Sequence, residues 1–201
     1  MKREKRLSGK VLEWVRRRPE GTAVSAKELL HLAERAAVDQ TLSRLARRGE
    51  LQRVARGFYV APIKSRFGSR PPRPGLVVES VAAHRGEEIA RHGASTATVL
   101  GLTTQTPLAE VFITSGPSRT LRVGGTEVEL RHAPRWQFAE GGKVGQAIRA
   151  LAWMGPEEAR EALPELETKL TPEELSQLVA ARVVMPSWMA EEISQRLGRY
   201  A

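Results

Sequence analysis

Cysteine is absent from the 201 residues, which removes disulfides, thiolate metal ligands and a cysteine nucleophile together. No apolar run reaches the roughly 18 residues that a membrane span needs, and the chain opens on charges with no apolar stretch of a secretory signal. The cytoplasm is therefore the expected location. Aromatic residues make up only 5% of the chain, few for a protein that stacks on unpaired bases. What is present, 41% hydrophobic and 27% charged residues, lies in the globular range. The length suits one large or two small domains.

The net charge of +9 is unevenly divided. Residues 1–75 hold 19 Lys and Arg against 7 Asp and Glu, giving +12, whereas residues 76–201 hold 13 against 16, giving −3. Such asymmetry points to a polyanion-binding module joined to a part with another task. Between Ala61 and Gly75, Pro62, Pro71, Pro72 and Pro74 accompany Ser65, Gly68 and Ser69. That density of proline reads as a linker, 62–75, between a first domain, 1–61, and a second, 76–201. Lys64, Arg66, Arg70 and Arg73, with no acid among them, make it either a basic strap along a phosphate backbone or an ordinary solvated linker. A fragment ending near Gly75 is then expected to fold and bind DNA alone.

Within the first domain, Leu7, Val11, Trp14 and Val15 recur at helical spacing and Pro19 with Gly21 ends that helix. Ser25 and Glu28 form a capping box opening a second, short helix over about 26–33. A third runs from about Ala36 to Arg48, with Val38, Leu42, Leu45 and Ala46 inward and Gly49 as its stop. Strand-like runs Leu51–Val54 and Phe58–Val60 flank Ala55-Arg56-Gly57, a hairpin with a basic tip. Three helices followed by such a hairpin are the order of a winged helix-turn-helix, whose third helix enters the major groove while the hairpin lies on the backbone or in the minor groove.

Advancing about 100° per residue from Val38 puts Gln40, Ser43, Arg44 and Arg47 opposite the apolar face. Gln can bond adenine and Arg guanine in bidentate fashion. Arg35, Thr41 and Arg48 flank that stripe as candidates for phosphate, with Arg56 at the wing tip. Asp39 is the departure: it either pairs with Arg35 or accepts from cytosine. The remainder reads as α+β with a helical tail: helices over Leu76–His84 and Ala94–Leu100, a strand at Val111–Thr114, a hairpin around Gly124-Gly125, then helices from Val144 to Leu197, with Thr171 and Glu174 as a second capping box.

No catalytic constellation emerges. His31, His84, His92 and His132 lack metal-ligand spacing. Ser115-Gly116-Pro117-Ser118 reads as a turn, and Glu157/Glu158 and Glu173/Glu174 as first-turn carboxylates favoured by the helix dipole. Most tryptophans read as core; Trp136, beside Arg135, is the one with a candidate contact role. No enzyme activity, metal or cofactor is expected.

The stretches AAVDQTLSRLARRGELQRVARGFYVAP, SRFGSRPPRP, HGASTATVLGLTTQTP and VFITSGPSRTLRVGGTEVELRHAPRW together resemble the AbiEi-type antitoxins of abortive-infection toxin–antitoxin systems, in particular a short branch of them. The resemblance runs from about Leu7 to Trp188. It implies a winged helix that binds inverted repeats of double-stranded DNA in its own promoter and represses transcription, and a second domain that counters a nucleotidyltransferase toxin. DNA reading would fall on Gln40, Ser43, Arg44 and Arg47, with Arg56 on the wing. The alternative is a stand-alone winged-helix regulator whose second domain senses a ligand. RNA binding is weaker, because the outward stripe of helix three has no aromatic platform.

Overall fold

Helix α1 (Lys2–Arg16) opens the computed structural model, which describes all residues except Met1, Phe67, Thr106 and Leu108. The stripe anticipated for α1 is real: Val11 and Val15 are buried. The chain then turns at Gly21, and Ser25 starts the capped segment. There the Glu28 carboxylate accepts both the Ser25 N–H, at 2.6 Å, and its hydroxyl, at 2.8 Å. The segment expected to be a helix over 26–33 is instead one 3-10 turn, Ala26–Leu29. Only Ala26 and Leu29 are buried while Leu30 is 47% exposed, so no continuous apolar stripe exists to anchor the longer helix, and short helices are marginal without one.

The third helix of the sequence reading is α2 (Arg35–Arg47). Val38, Leu42 and Leu45 are fully buried on its inner face. Gly49, at φ +71°, reverses the chain, and the Glu50 N–H reaches back to the Leu45 carbonyl at 3.0 Å, a Schellman-type end that needs glycine's left-handed freedom. The wing follows as β1 (Gln52–Ala55) and β2 (Phe58–Val60), antiparallel with Arg53 opposite Tyr59. Val24 adds a bridge on the other edge of β2, exchanging backbone bonds of 2.8 and 3.0 Å with Tyr59. These elements close one apolar core of α1, the 3-10 turn, α2 and the wing.

Residues 62–75 are not an unstructured connection. Ile63–Ser65 (β3) and Gly68–Arg70 (β4) pair antiparallel, with Lys64 opposite Ser69. Pro71 and Pro72 follow β4, where no ladder donor is required. The division of the chain also falls elsewhere. One compact unit contains residues 1–87 together with 119–129, and the other contains 88–118 together with 130–201. Helix α3 (Pro74–Arg85) thus belongs to the first unit. The buried Ala23 N–H donates to the Ser80 hydroxyl at 2.9 Å, and His84 meets Glu28 at 2.5 Å. At Gly21, φ +81°, a Cβ would stand 2.4 Å from that of Leu76, so glycine is what lets α3 approach.

In the rest of the chain β5 (Ile89–Arg91), α4 (Gly93–Val99) and β6 (Val111–Thr114) precede a hairpin of β7 (Arg119–Val123) and β8 (Thr126–His132). The strand order is β5-β6-β8-β7. Helices α5 (Gly142–Met154), α6 (Pro156–Lys169), α7 (Pro172–Ala181) and α8 (Ser187–Leu197) form the tail. Their core includes Ile148, Leu151, Leu163, Leu166, Leu178 and Ile193. Helix α4 lies so close to α5 that a Cβ on Gly93 would be 2.2 Å from the Arg149 carbonyl oxygen. The protein is therefore α+β, a winged helix-turn-helix followed by a mixed α+β part with a helical C-terminal region. Among the described residues no helix is long and apolar enough to cross a membrane.

Candidate nucleic-acid interface

Burial of Val38, Leu42 and Leu45 fixes the rotation of α2, and the opposite side is what solvent sees. Gln40, Ser43 and Arg47 are exposed and Arg44 is half-buried. These four side chains and Asp39 line one shallow concavity of about 480 Å³. The Arg44 Nε leans back to the Gln40 carbonyl at 3.4 Å. Ser43 lies 3.4 Å from the Tyr59 hydroxyl on β2, joining the outward face of α2 to the wing. Arg48 at the helix end and Arg56 at the wing tip are exposed as well. The four-residue stripe therefore forms one surface beside a basic hairpin.

Other expected residues fare differently. Thr41 is 2% exposed and its hydroxyl donates to the Ala37 carbonyl at 2.7 Å. It lies on the inner edge of the helix with its donor already used, so it is withdrawn from the phosphate candidates. Arg35 pairs with Asp39 at 3.2 Å across one helical turn, which answers the Asp39 question in favour of the ion pair. Both partners are more than half exposed, so the pair is weak and water or phosphate can compete for it.

Two of the strap arginines, Arg70 and Arg73, are held by a residue that the sequence reading passed over. Glu20 accepts from both terminal nitrogens of Arg70, at 2.9 and 3.2 Å, and from the Arg73 backbone N–H at 3.0 Å. These bonds, that of Arg70 foremost, hold its carboxyl below the usual range, and Arg70 is correspondingly raised. Lys64 and Arg66 are exposed on and beside β3. The strap is thus a hairpin, β3–β4, followed by the cap of α3, and Arg70 of the one and Arg73 of the other face a single carboxylate.

Arg53 is a second omission. It stands exposed on β1, on the solvent side of the alternation that buries Val54, and no spacing rule distinguishes it from an ordinary surface residue. In the structure it lines a groove of about 800 Å³ together with Ser43, Arg47, Tyr59, Ser69 and Arg70. By unit, residues 1–87 and 119–129 hold 22 Lys and Arg against 11 Asp and Glu, and the remainder hold 10 against 12. The positive charge therefore belongs to the unit that carries α2 and the wing. A basic, rigid helix face of this kind can bond base edges while flanking cations meet phosphate.

Elsewhere the polar groups that invited chemistry have local tasks. His92 caps α4, accepting the Ala94 N–H; His132 meets the Gly116 carbonyl; the Ser115 and Ser118 hydroxyls accept the N–H groups of Glu88 and His132. Trp136, the candidate contact residue, is half-buried against the C-terminal core. Among the described residues no group of three or more His, Cys, Asp or Glu could hold a metal ion.

The fold and this face define a winged-helix protein with a second α+β part. The chain belongs to the DUF6088 family, described as a family of unknown function, whose model matches residues 10–175. No curated protein matches it. Among solved structures it is similar to the RV2827C protein from Mycobacterium tuberculosis, with 19% identity and a TM-score of 0.52 over 97% of this chain and 77% of that one. At that identity the likeness concerns the fold.

Proposed function

We propose that this chain is a DNA-binding autorepressor that reads inverted repeats in its own promoter with α2, steadies itself on the backbone with its wing, and counters a nucleotidyltransferase-type toxin as an antitoxin. The observation that carries the DNA half is the single outward surface of Gln40, Ser43, Arg44 and Arg47, fixed in rotation by the buried opposite face and flanked by the Arg56 wing tip. Glutamine and arginine are the side chains whose geometry matches adenine and guanine edges in the major groove. The antitoxin half rests on the resemblance to AbiEi-type antitoxins.

Two assays test the two halves. Purified protein should shift the DNA upstream of its own gene at concentrations that leave a scrambled duplex free, and co-expression should restore growth to cells producing the neighbouring gene's product. Binding without rescue supports a stand-alone regulator. Failure of binding removes the DNA half.

A further inference from the structure

The groove beside α2 extends the base-reading face in a direction that neither the helix nor the wing tip accounts for. Its floor is apolar and nearly buried, Leu51 at 2% and Tyr59 at 5% exposure. One wall is the C-terminal half of α2 with Ser43 and Arg47; the wing strand β1 contributes Arg53, and β4 supplies Ser69 and Arg70. None of its lining side chains is acidic. Among the described residues neither Arg47 nor Arg53 has an acidic partner, whereas Arg70 shares its charge with Glu20. The β4 side is backed by a neighbouring turn. Pro71 packs against the turn of the β7–β8 hairpin so tightly that a Cβ on Gly124 would lie 2.3 Å from it.

We infer that this groove seats one sugar–phosphate strand of duplex DNA, with Arg53 as its principal cation and strand β4 as its opposite wall. The inference rests on the proposed DNA reading and deepens it. When α2 enters the major groove, the strand bordering that groove must pass along one side of the helix. Here that side is a channel with cations on its walls and neutral hydroxyls between them. A phosphodiester matches this chemistry: its charge meets guanidinium, its remaining oxygens accept from hydroxyls, and its sugar faces the apolar floor. Ser43 and Arg47 belong both to this groove and to the base-reading face, so base reading and strand seating share one wall.

The test uses the full chain with two 30-base-pair duplexes, the upstream repeat and a shuffled sequence, titrated by fluorescence anisotropy across a salt series. Arg53→Ala should weaken both duplexes alike, roughly 5–10-fold near 0.1 M salt, and reduce the salt slope by about 0.9, the value of one phosphate contact. Ser69→Glu, an exposed change that sets a carboxylate on the groove wall, should weaken both further while the ratio between the duplexes stays constant. Unchanged affinity and slope in both variants, with wild-type repeat binding intact, overturn the groove and leave the DNA reading standing. Loss of the repeat-to-shuffled ratio in Arg53→Ala would make Arg53 a base reader and also overturn the inference. A wild type that binds neither duplex overturns the DNA reading and the groove with it. Preference for a single-stranded RNA of the same sequence would reassign the channel.

Discussion

Ending the chain at Gly75 cuts through the first unit, and the cost can be worked from the bonds it removes. Without α3 the Ala23 N–H, on a residue with no exposed surface, loses its acceptor, the Ser80 hydroxyl. Water can replace the hydroxyl once α3 is gone, so the loss is the net worth of one hydrogen bond, about 0.5–1.5 kcal/mol. The Glu28–His84 contact goes as well, a charge-assisted bond between groups 30% and 27% exposed and worth about 1.5–3 kcal/mol. These two losses alone reach about 2–4.5 kcal/mol, against the 5–15 kcal/mol that holds a typical domain. The surfaces covered by Val77, Val78 and Val81, all fully buried, are exposed in addition. A fragment of residues 1–75 should therefore show reduced helical circular dichroism, no cooperative urea transition and little DNA binding, despite holding all of the candidate DNA-contact residues. A sigmoidal transition together with the full chain's DNA affinity would refute this reasoning and restore a boundary at residues 62–75.

Three further outcomes follow from individual contacts. His84 is held above the ordinary imidazole value of 6.5: burial pushes it down, but its bonds to Glu28 and the Ser80 carbonyl outweigh that. A raised folded value gives stability that is complete below about pH 6.5 and lost as pH climbs through the folded value. Glu28 is pushed up by burial but lowered overall by His84 and Ser25, so its contribution is present above its ordinary 4.5 and is lost on acidification. The pair thus stabilises most between those values, and His84→Gln should flatten the alkaline decline of the urea midpoint; an unaltered pH profile would count against it. Glu20→Gln releases Arg70 and Arg73, and should tighten binding to a shuffled duplex and steepen its salt slope by about 0.9 for each guanidinium that reaches phosphate; equal slopes would mean that the pair opens freely already. Gly93→Ala forces a methyl against the α5 backbone, and such overpacking costs about 1–3 kcal/mol. That predicts a Tm lower by roughly 2–12 °C for a chain of this size, read by calorimetry, with DNA affinity unchanged below the transition.

How much was legible in advance depended on the range of the interaction. The rotation of α2 follows from Val38, Leu42 and Leu45 alone, and the wing from Ala55-Arg56-Gly57, because each signal lies within a few residues. Thr41 was misplaced because it sits at the border of the apolar stripe, where an intrahelical bond to Ala37 lets a hydroxyl turn inward. The β3–β4 hairpin is hidden by the prolines that flank it, Pro62, Pro71 and Pro72, and by strands of three residues, too short for an alternation to register. The return of 119–129 to the first unit, the grip of Glu20 on Arg70 fifty residues away, and the groove at Arg53 are products of tertiary packing. No local pattern encodes them.

The central claim, that α2 reads base edges, is tested most directly by selecting binding sites from a pool of randomised 30-base-pair duplexes with the wild type, Gln40→Ala, Arg44→Ala and Arg56→Ala. The account predicts that the wild type enriches an inverted repeat and that Gln40→Ala and Arg44→Ala each relax one base position per half-site, at about 1–3 kcal/mol on the cognate site. Arg56→Ala should weaken all sequences evenly and keep the motif. No enriched motif, or an unchanged motif in both α2 variants with a changed one in Arg56→Ala, would contradict it.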